Sequence, residues 1–264
     1  QFRTAVGQGQ SIMNIIEDLG LPTFASVHGA CAGGGCELIL SCDYRICSED
    51  NSTKIGLPET QLGILPGFGG CIRLPRVVGL QAALDIILAG KLVNAKKALK
   101  MGLVDRAVHP NLLEEHTIRF IQDVFKDGGK KRRKTFKPKG LMNILLEGPL
   151  KFLVFKGALK QVLKSTQGHY PSPLAALEVM RKTYKTGHRE RSLEVELEHF
   201  CEVAVTDISK NLIHVYDLTE MVKKQNGVPG VKVTPKEVKV LGILGAGTMG
   251  GVIAYAEADG GDVV

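Results

Sequence analysis

The sequence predicts an α/β chain in three stretches: short strands alternating with helices, then helices alone, then the opening of a second strand–turn–helix unit. Three observations carry this. Apolar, β-branched runs that stop at glycine, such as "TFASVHG" (23–29), alternate with segments of helical period as far as residue 127. Strand signals then vanish from 141 to 224. At 238–251, "VKVLGILGAGTMGG" returns to an apolar β-rich run, a glycine turn and a helix start. A length of 264 residues suits one large domain or two modest ones, and a hydrophobic content of 44% supplies a core.

Residues 11–20 read as an amphipathic helix with Ile12, Ile15, Ile16 and Leu19 on one face, ended by Gly20 and Pro22. After the buried strand at 23–29, "CELILSC" (36–42) is too short to divide between strand and helix. "YRICSED" (44–50) reads as a strand entering a loop, and 56–70 reads mostly as loop, its turns set by glycine and proline. Helical period returns from Ile72, with Ala82, Ala83, Ile86, Ile87 and Ala89 on one face. Asn94 caps a helix that Gly102 stops, and Leu112–Phe125 is amphipathic. Residues 128–140 read as a basic linker, 141–165, 173–186 and 190–224 as helices, and 225–235 as a second linker.

Composition narrows the function. Aromatics are 5% and tryptophan is absent, which argues against a platform of stacked rings for single-stranded nucleic acid. The net charge of +7 is concentrated in Lys130, Lys131, Arg132, Arg133, Lys134, Lys137 and Lys139. That run carries only Phe136 as an interleaved aromatic and no nucleic-acid motif, so it reads as a solvated linker. With the apolar stretch 141–163 beside it, the segment 130–163 is also a candidate for weak contact with an anionic membrane. The six cysteines form no CxxC pair, and Cys31, Cys36, Cys42 and Cys47 lie in apolar segments. They read as reduced core thiols, with no metal site. No apolar run reaches the ~20 residues of a membrane-spanning helix. His28, beside the glycine turn, reads as a hydrogen-bonded structural residue.

Two carboxylates stand out. Glu37 follows Gly33, Gly34 and Gly35 within "CAGGGCELILSC". Consecutive glycines admit positive φ and let amides approach a ligand unshielded. Where such a turn opens a helix, free N–H groups and the dipole together stabilise negative charge on an oxygen. Glu59, in "GLPET" behind the stiffening Pro58, is the second acid. Two carboxylates facing one water could act as base and acid in adding it to a double bond.

The stretches "ASVHGACAGGGCELILSCDYRIC", "GLPETQLGILPGFGGCIRLPRVVG" and "AKKALKMGLVDRAV" together resemble the enoyl-CoA hydratase (crotonase) family over roughly residues 11–125. The resemblance implies that Glu37 and Glu59 are the hydratase carboxylates. It implies that the Gly34 N–H is one of two oxyanion donors for a thioester carbonyl, in a turn shaped by Gly33, Gly35 and Cys36. Gly67 to Gly70 would open the next helix beside the acyl thioester. The family's first half, which supplies the other oxyanion N–H and much of the coenzyme A cradle, has no counterpart here. The expected fold is therefore the C-terminal half of a crotonase domain (1–127), a helical spacer (128–235) and the start of a Rossmann domain (236–264).

The last of these rests on Gly245-x-Gly247-x-x-Gly250 after a β-rich run. Gly245 would make the tight turn, Gly247 would admit a pyrophosphate and Gly250 would allow helix–strand packing, with Ala246, Thr248 and Met249 completing an NAD-binding turn. Asp259 and Asp262 come too early for the acid that holds the ribose. The order of segments resembles the multifunctional family of fatty acid β-oxidation, which joins enoyl-CoA hydratase to 3-hydroxyacyl-CoA dehydrogenase. That resemblance implies an acyl-CoA substrate, NAD, a thiolase β-subunit as partner, and a bacterial cytoplasm or mitochondrial matrix. The alternatives are a crotonase-fold isomerase and a non-catalytic fragment.

Overall fold

The computed structural model describes residues 2–132, 135–225, 242–245 and 247–258. They fall in two compact units, Gln1–Ile213 and His214–Val264.

The first unit opens with α1 (Phe2–Asp18), followed by β1 (Phe24–Val27), β2 (Ala30–Ala32), α2 (Gly34–Ser41), β3 (Tyr44–Ser48) and β4 (Lys54–Gly56). A 3-10 turn (Glu59–Leu62) leads to α3 (Gly70–Val78), α4 (Leu80–Leu88), β5 (Leu92–Asn94), α5 (Ala95–Met101), β6 (Arg106–Val108) and α6 (Leu113–Lys126). Two three-stranded sheets result, in the orders β1-β3-β6 and β2-β4-β5. The first is parallel throughout, with Val27 opposite Cys47 and Cys47 opposite Ala107. In the second, β4 is parallel to β2 and antiparallel to β5.

The ambiguous run 36–42 is helix. Gly33, at φ 58°, turns the chain out of β2, and its N–H donates to the Gly56 carbonyl at 3.0 Å. The apolar run then buries Cys36, Ile39 and Leu40 on one side of α2. Asn94 caps α5 as expected, its side chain accepting from the Lys97 amide at 2.9 Å, and Gly102 ends the helix at φ 79°.

The expected face of α1 is corrected. The helix starts at Phe2, well before residue 11, and buries Val6, Gln10 and Met13, while Ile12, Ile15 and Leu19 are exposed. The fit to one loop decides this. A Cβ on Gly9 would lie 2.4 Å from the Phe68 ring, and the Gln10 amide lies 3.0 Å from the carbonyls of both Gly67 and Leu193.

Helices α7 (Leu141–Glu147), α8 (Lys151–Thr166), α9 (Pro171–Thr183) and α10 (Arg189–Ala204) follow, and α11 (Asp207–Lys224) crosses the division between the units. Residues of the expected spacer share the core of the first segment. Phe155, Ala176, Val179, Met180 and Val203 belong to one cluster with Cys36, Ile55, Leu57, Leu74, Leu80 and Ile87. Described residues of the basic run are tied down as well. The Tyr44 hydroxyl donates to the Lys130 carbonyl at 3.0 Å, and Arg132 pairs with Asp105 at 2.6 Å. Leu141, Met142, Ile144 and Phe152 are exposed beside it.

In the second unit, residues 242–245 have no regular structure and α12 (Thr248–Ala258) follows. The expected linker lies outside the described residues apart from Gln225, and the strand run outside them up to residue 241. Ala246, Asp259 and Asp262 also lie outside them. No helix among the described residues is long and apolar enough to cross a membrane.

Candidate active site

Glu37 and Glu59 arrive from different elements. Glu37 sits in the first turn of α2, and Glu59 opens the 3-10 turn behind Pro58. Both are buried, at 2% and 9% exposure. A Cβ placed on Gly33 would lie 3.3 Å from the Glu59 Oε1, so the turn that opens α2 is also the wall beside the second acid. Gly34 is the first residue of α2, and its N–H has no acceptor within the helix.

The acids differ in their partners. The Glu37 Oε1 accepts from the Phe68 amide at 2.7 Å and from the Gly70 amide at 2.8 Å. The Glu59 Oε2 is buried with no hydrogen-bond partner among the described residues. Its loop is nonetheless firm. Thr60 Oγ1 donates to the Ile87 carbonyl at 2.8 Å, and Ser172 Oγ of α9 donates to the Thr60 carbonyl at 3.2 Å.

These surroundings set the proton affinities. Burial raises Glu37 to about 7, opposed by the two amides and the Arg73 guanidinium. Burial and then the neighbouring Glu37 charge raise Glu59 to about 8. An acid that is ionised first and another that stays protonated longer can serve as base and acid to one substrate. Burial holds the nearby Cys36 and Cys71 thiols well above their usual range, so neither is an activated nucleophile. His28 Nδ1 lies 2.9 Å from Ser48 Oγ, in keeping with its expected structural role.

The structure brings together Glu37, Glu59, Gly33 and Gly34, and places Gly70, the first residue of α3, against Glu37. It also adds a residue that the sequence reading passed over. Glu196 of α10 is fully buried and accepts from the Gly69 amide at 2.6 Å and the Cys71 amide at 3.0 Å. The signal was present: Glu196 shares a helical stripe with the apolar Leu193, Leu197 and Phe200, where a carboxylate has no reason to sit unless amides meet it. No group of three or more metal-ligating side chains occurs among the described residues.

A family model described as enoyl-CoA hydratase/isomerase matches residues 4–139. The chain belongs to this family. Among curated relatives, the fatty acid oxidation complex subunit alpha of Shewanella sp. (strain ANA-3) is 44% identical over 249 residues, covering 94% of this chain and 34% of the relative. The protein of the same name from Shewanella baltica (strain OS155 / ATCC BAA-1091) is 43% identical over the same shares. The chain spans about a third of the length of the curated relatives it matches. A solved enoyl-CoA hydratase/isomerase from Pseudoalteromonas atlantica T6c is similar at a TM-score of 0.51 and 20% identity, over 78% of this chain and 66% of that one, which shows the crotonase-like α/β fold. The family match ends at 139, so Glu196 lies beyond it.

Proposed function

We propose that this protein hydrates trans-2-enoyl-CoA to 3-hydroxyacyl-CoA in fatty acid β-oxidation. The observation that carries the reading is the pair of buried carboxylates beside one glycine turn, one held by two amides and one with an unpartnered oxygen. Hydration places negative charge on the thioester oxygen, and the Gly34 N–H is the donor positioned to meet it. Losing one such donor costs on the order of 3–4 kcal/mol in comparable sites. Glu37, the more readily ionised, takes a proton from the attacking water. Glu59, protonated over a wider range, delivers one to the α-carbon. A double-bond shift within the same family needs one acid to carry a proton between carbons, so the second buried carboxylate favours water addition over isomerisation.

The finer organisation belongs to the same reading. Residues 1–127 form the hydratase portion, 128–235 the connecting helices and 236–264 the opening of a 3-hydroxyacyl-CoA dehydrogenase domain. The glycine turn supports this, since Gly245 has φ 105° and a Cβ on Gly250 would fall 2.0 Å from the Gly245 carbonyl oxygen. The backbone of Gly245, Gly247 and Gly250, with Ala246, Thr248 and Met249, would hold the pyrophosphate of NAD. NAD, when bound, accepts a hydride. A thiolase β-subunit as partner, a bacterial cytoplasm, and weak anionic-membrane contact along 130–163 complete the proposal. The exposed Leu141 and Phe152 support that contact, and liposome flotation at low salt tests it.

The test of the hydratase reading is loss of crotonyl-CoA absorbance, measured on the protein at its full natural length. Glu37→Gln and Glu59→Gln are each expected to lower the rate about 100-fold or more. If both variants keep the rate of the unaltered protein, the two-acid mechanism is wrong.

A further inference from the structure

The loop before α3 carries four successive amides that alternate between two carboxylates. Phe68 and Gly70 donate to Glu37, at 2.7 and 2.8 Å. Gly69 and Cys71, between and after them, donate to Glu196, at 2.6 and 3.0 Å. Glu196 engages both oxygens, Oε1 with Gly69 and Oε2 with Cys71. The Gln10 side chain closes the arrangement from α1, lying 3.4 Å from Glu196 Oε1 and 3.0 Å from the Gly67 carbonyl. Gly69 has φ 102°, and a Cβ there would lie 1.9 Å from the Arg73 Nη1, so the chain follows this path only with glycine at that position.

Amides that alternate in this way cannot be aimed independently. Rotating the loop to release Gly69 and Cys71 from Glu196 turns Phe68 and Gly70 away from Glu37. We propose that Glu196 is a positioning residue for the hydration reaction: from α10, it fixes the 68–71 loop so that the alternate amides hold Glu37 in place. The inference rests on the hydratase reading. Glu196 does not touch the reacting atoms. It acts through the backbone, and a shift of Glu37 by about 1 Å suffices to cost about 100-fold in rate. A buried carboxylate is a costly way to fill a helix stripe, and the two amides it accepts from the loop give the burial a purpose.

The charged and titratable groups around Glu37 are Glu59, Arg73, Cys36, Cys71 and Glu196 itself. That set gives the test its readout, because the Phe68 and Gly70 amides lower the proton affinity of Glu37. In Glu196→Gln, one carbonyl oxygen remains where two carboxylate oxygens served, and the loop loosens. The expected result, at full natural length, is a kcat about 10- to 100-fold lower with KM changed less than about threefold. The acid limb of the kcat/KM profile is expected to move to higher pH as Glu37 loses its amides. Glu196→Asp, which keeps the charge and shortens the reach, should behave like Glu196→Gln.

An unchanged kcat and profile in Glu196→Gln would overturn the proposal. So would an acid limb moved to lower pH, the mark of a charge effect alone, or full rescue by Glu196→Asp. If Glu196→Gln melts below the assay temperature, the same comparison is made on Gln10→Met, with a smaller kcat loss and the same shift expected. An unchanged profile there would equally count against the idea. Failure of the hydratase reading looks different, since Glu37→Gln would then leave turnover intact.

Discussion

At the scale of single residues, the site is two acids in unequal company. Glu37 accepts two loop amides, whereas one oxygen of Glu59 has no partner among the described residues, and burial with the Glu37 charge raises Glu59 further. A bell-shaped kcat/KM profile is expected, with limbs near about 7 and about 8 that belong to the pair rather than to either acid alone. The sign follows from the proposed roles. Activity falls below the lower limb as Glu37 gains its proton, and above the upper limb as Glu59 loses the proton it must deliver. Glu59→Gln should flatten the alkaline limb of whatever rate remains. Stopped-flow hydration across this range is the check, and a profile flat from pH 6 to 9 would contradict the assignment. Glu37 and Glu59 were legible because each sits in a short run whose glycines or proline announce an unusual backbone. Glu196 was harder to read, because its place in the apolar stripe of "SLEVELEHF" marks it as unusual without saying which amides meet it.

At the scale of elements, α3 and α4 both begin at glycines and neither has a side-chain cap of its own at its N-terminus. Buried glutamates from later helices fill that role. Glu196 serves α3, and Glu147 at the end of α7 accepts from the Leu80 amide at 2.7 Å while the Tyr184 hydroxyl donates to its other oxygen. Glu147→Ala leaves that amide and that hydroxyl buried without partners. A destabilisation of about 2–3 kcal/mol is expected, read as a lower midpoint in thermal or urea unfolding, and an unchanged midpoint would refute the capping role. Helix existence followed from periodicity almost throughout. The facing of α1 did not, because Gly9 and Gln10 answer to a ring and two carbonyls far away in sequence, and hydrophobic spacing carries no record of those.

At the scale of the whole molecule, the larger core of the first unit is built from both stretches of sequence. Met180, Val179 and Ala176 of α9 are fully buried in the same cluster as Leu74, Leu80 and Ile87. The alternation of strand and helix up to 127 made the first stretch look self-sufficient, since the sequence marks where strands stop and not which faces the later helices cover. A chain ended at residue 139, where the family match ends, would expose those faces and strip α3 and α4 of their caps. Such a chain is expected to bind a hydrophobic dye and to lose a sharp melting transition, whereas residues 1–213 keep one. A cooperative melt of the 1–139 chain at the temperature of the longer one would show the core divides there after all.

The alternating loop at 68–71 makes ancestry matter to engineering. Two acids lean on neighbouring peptide groups of one short segment, so neither stretch of the chain is an interchangeable part. A chimera that joined these first residues to a foreign set of helices would inherit both acids of the proposed mechanism. Without a carboxylate reaching in where α10 now supplies one, the proposed positioning role of Glu196 predicts a slow enzyme.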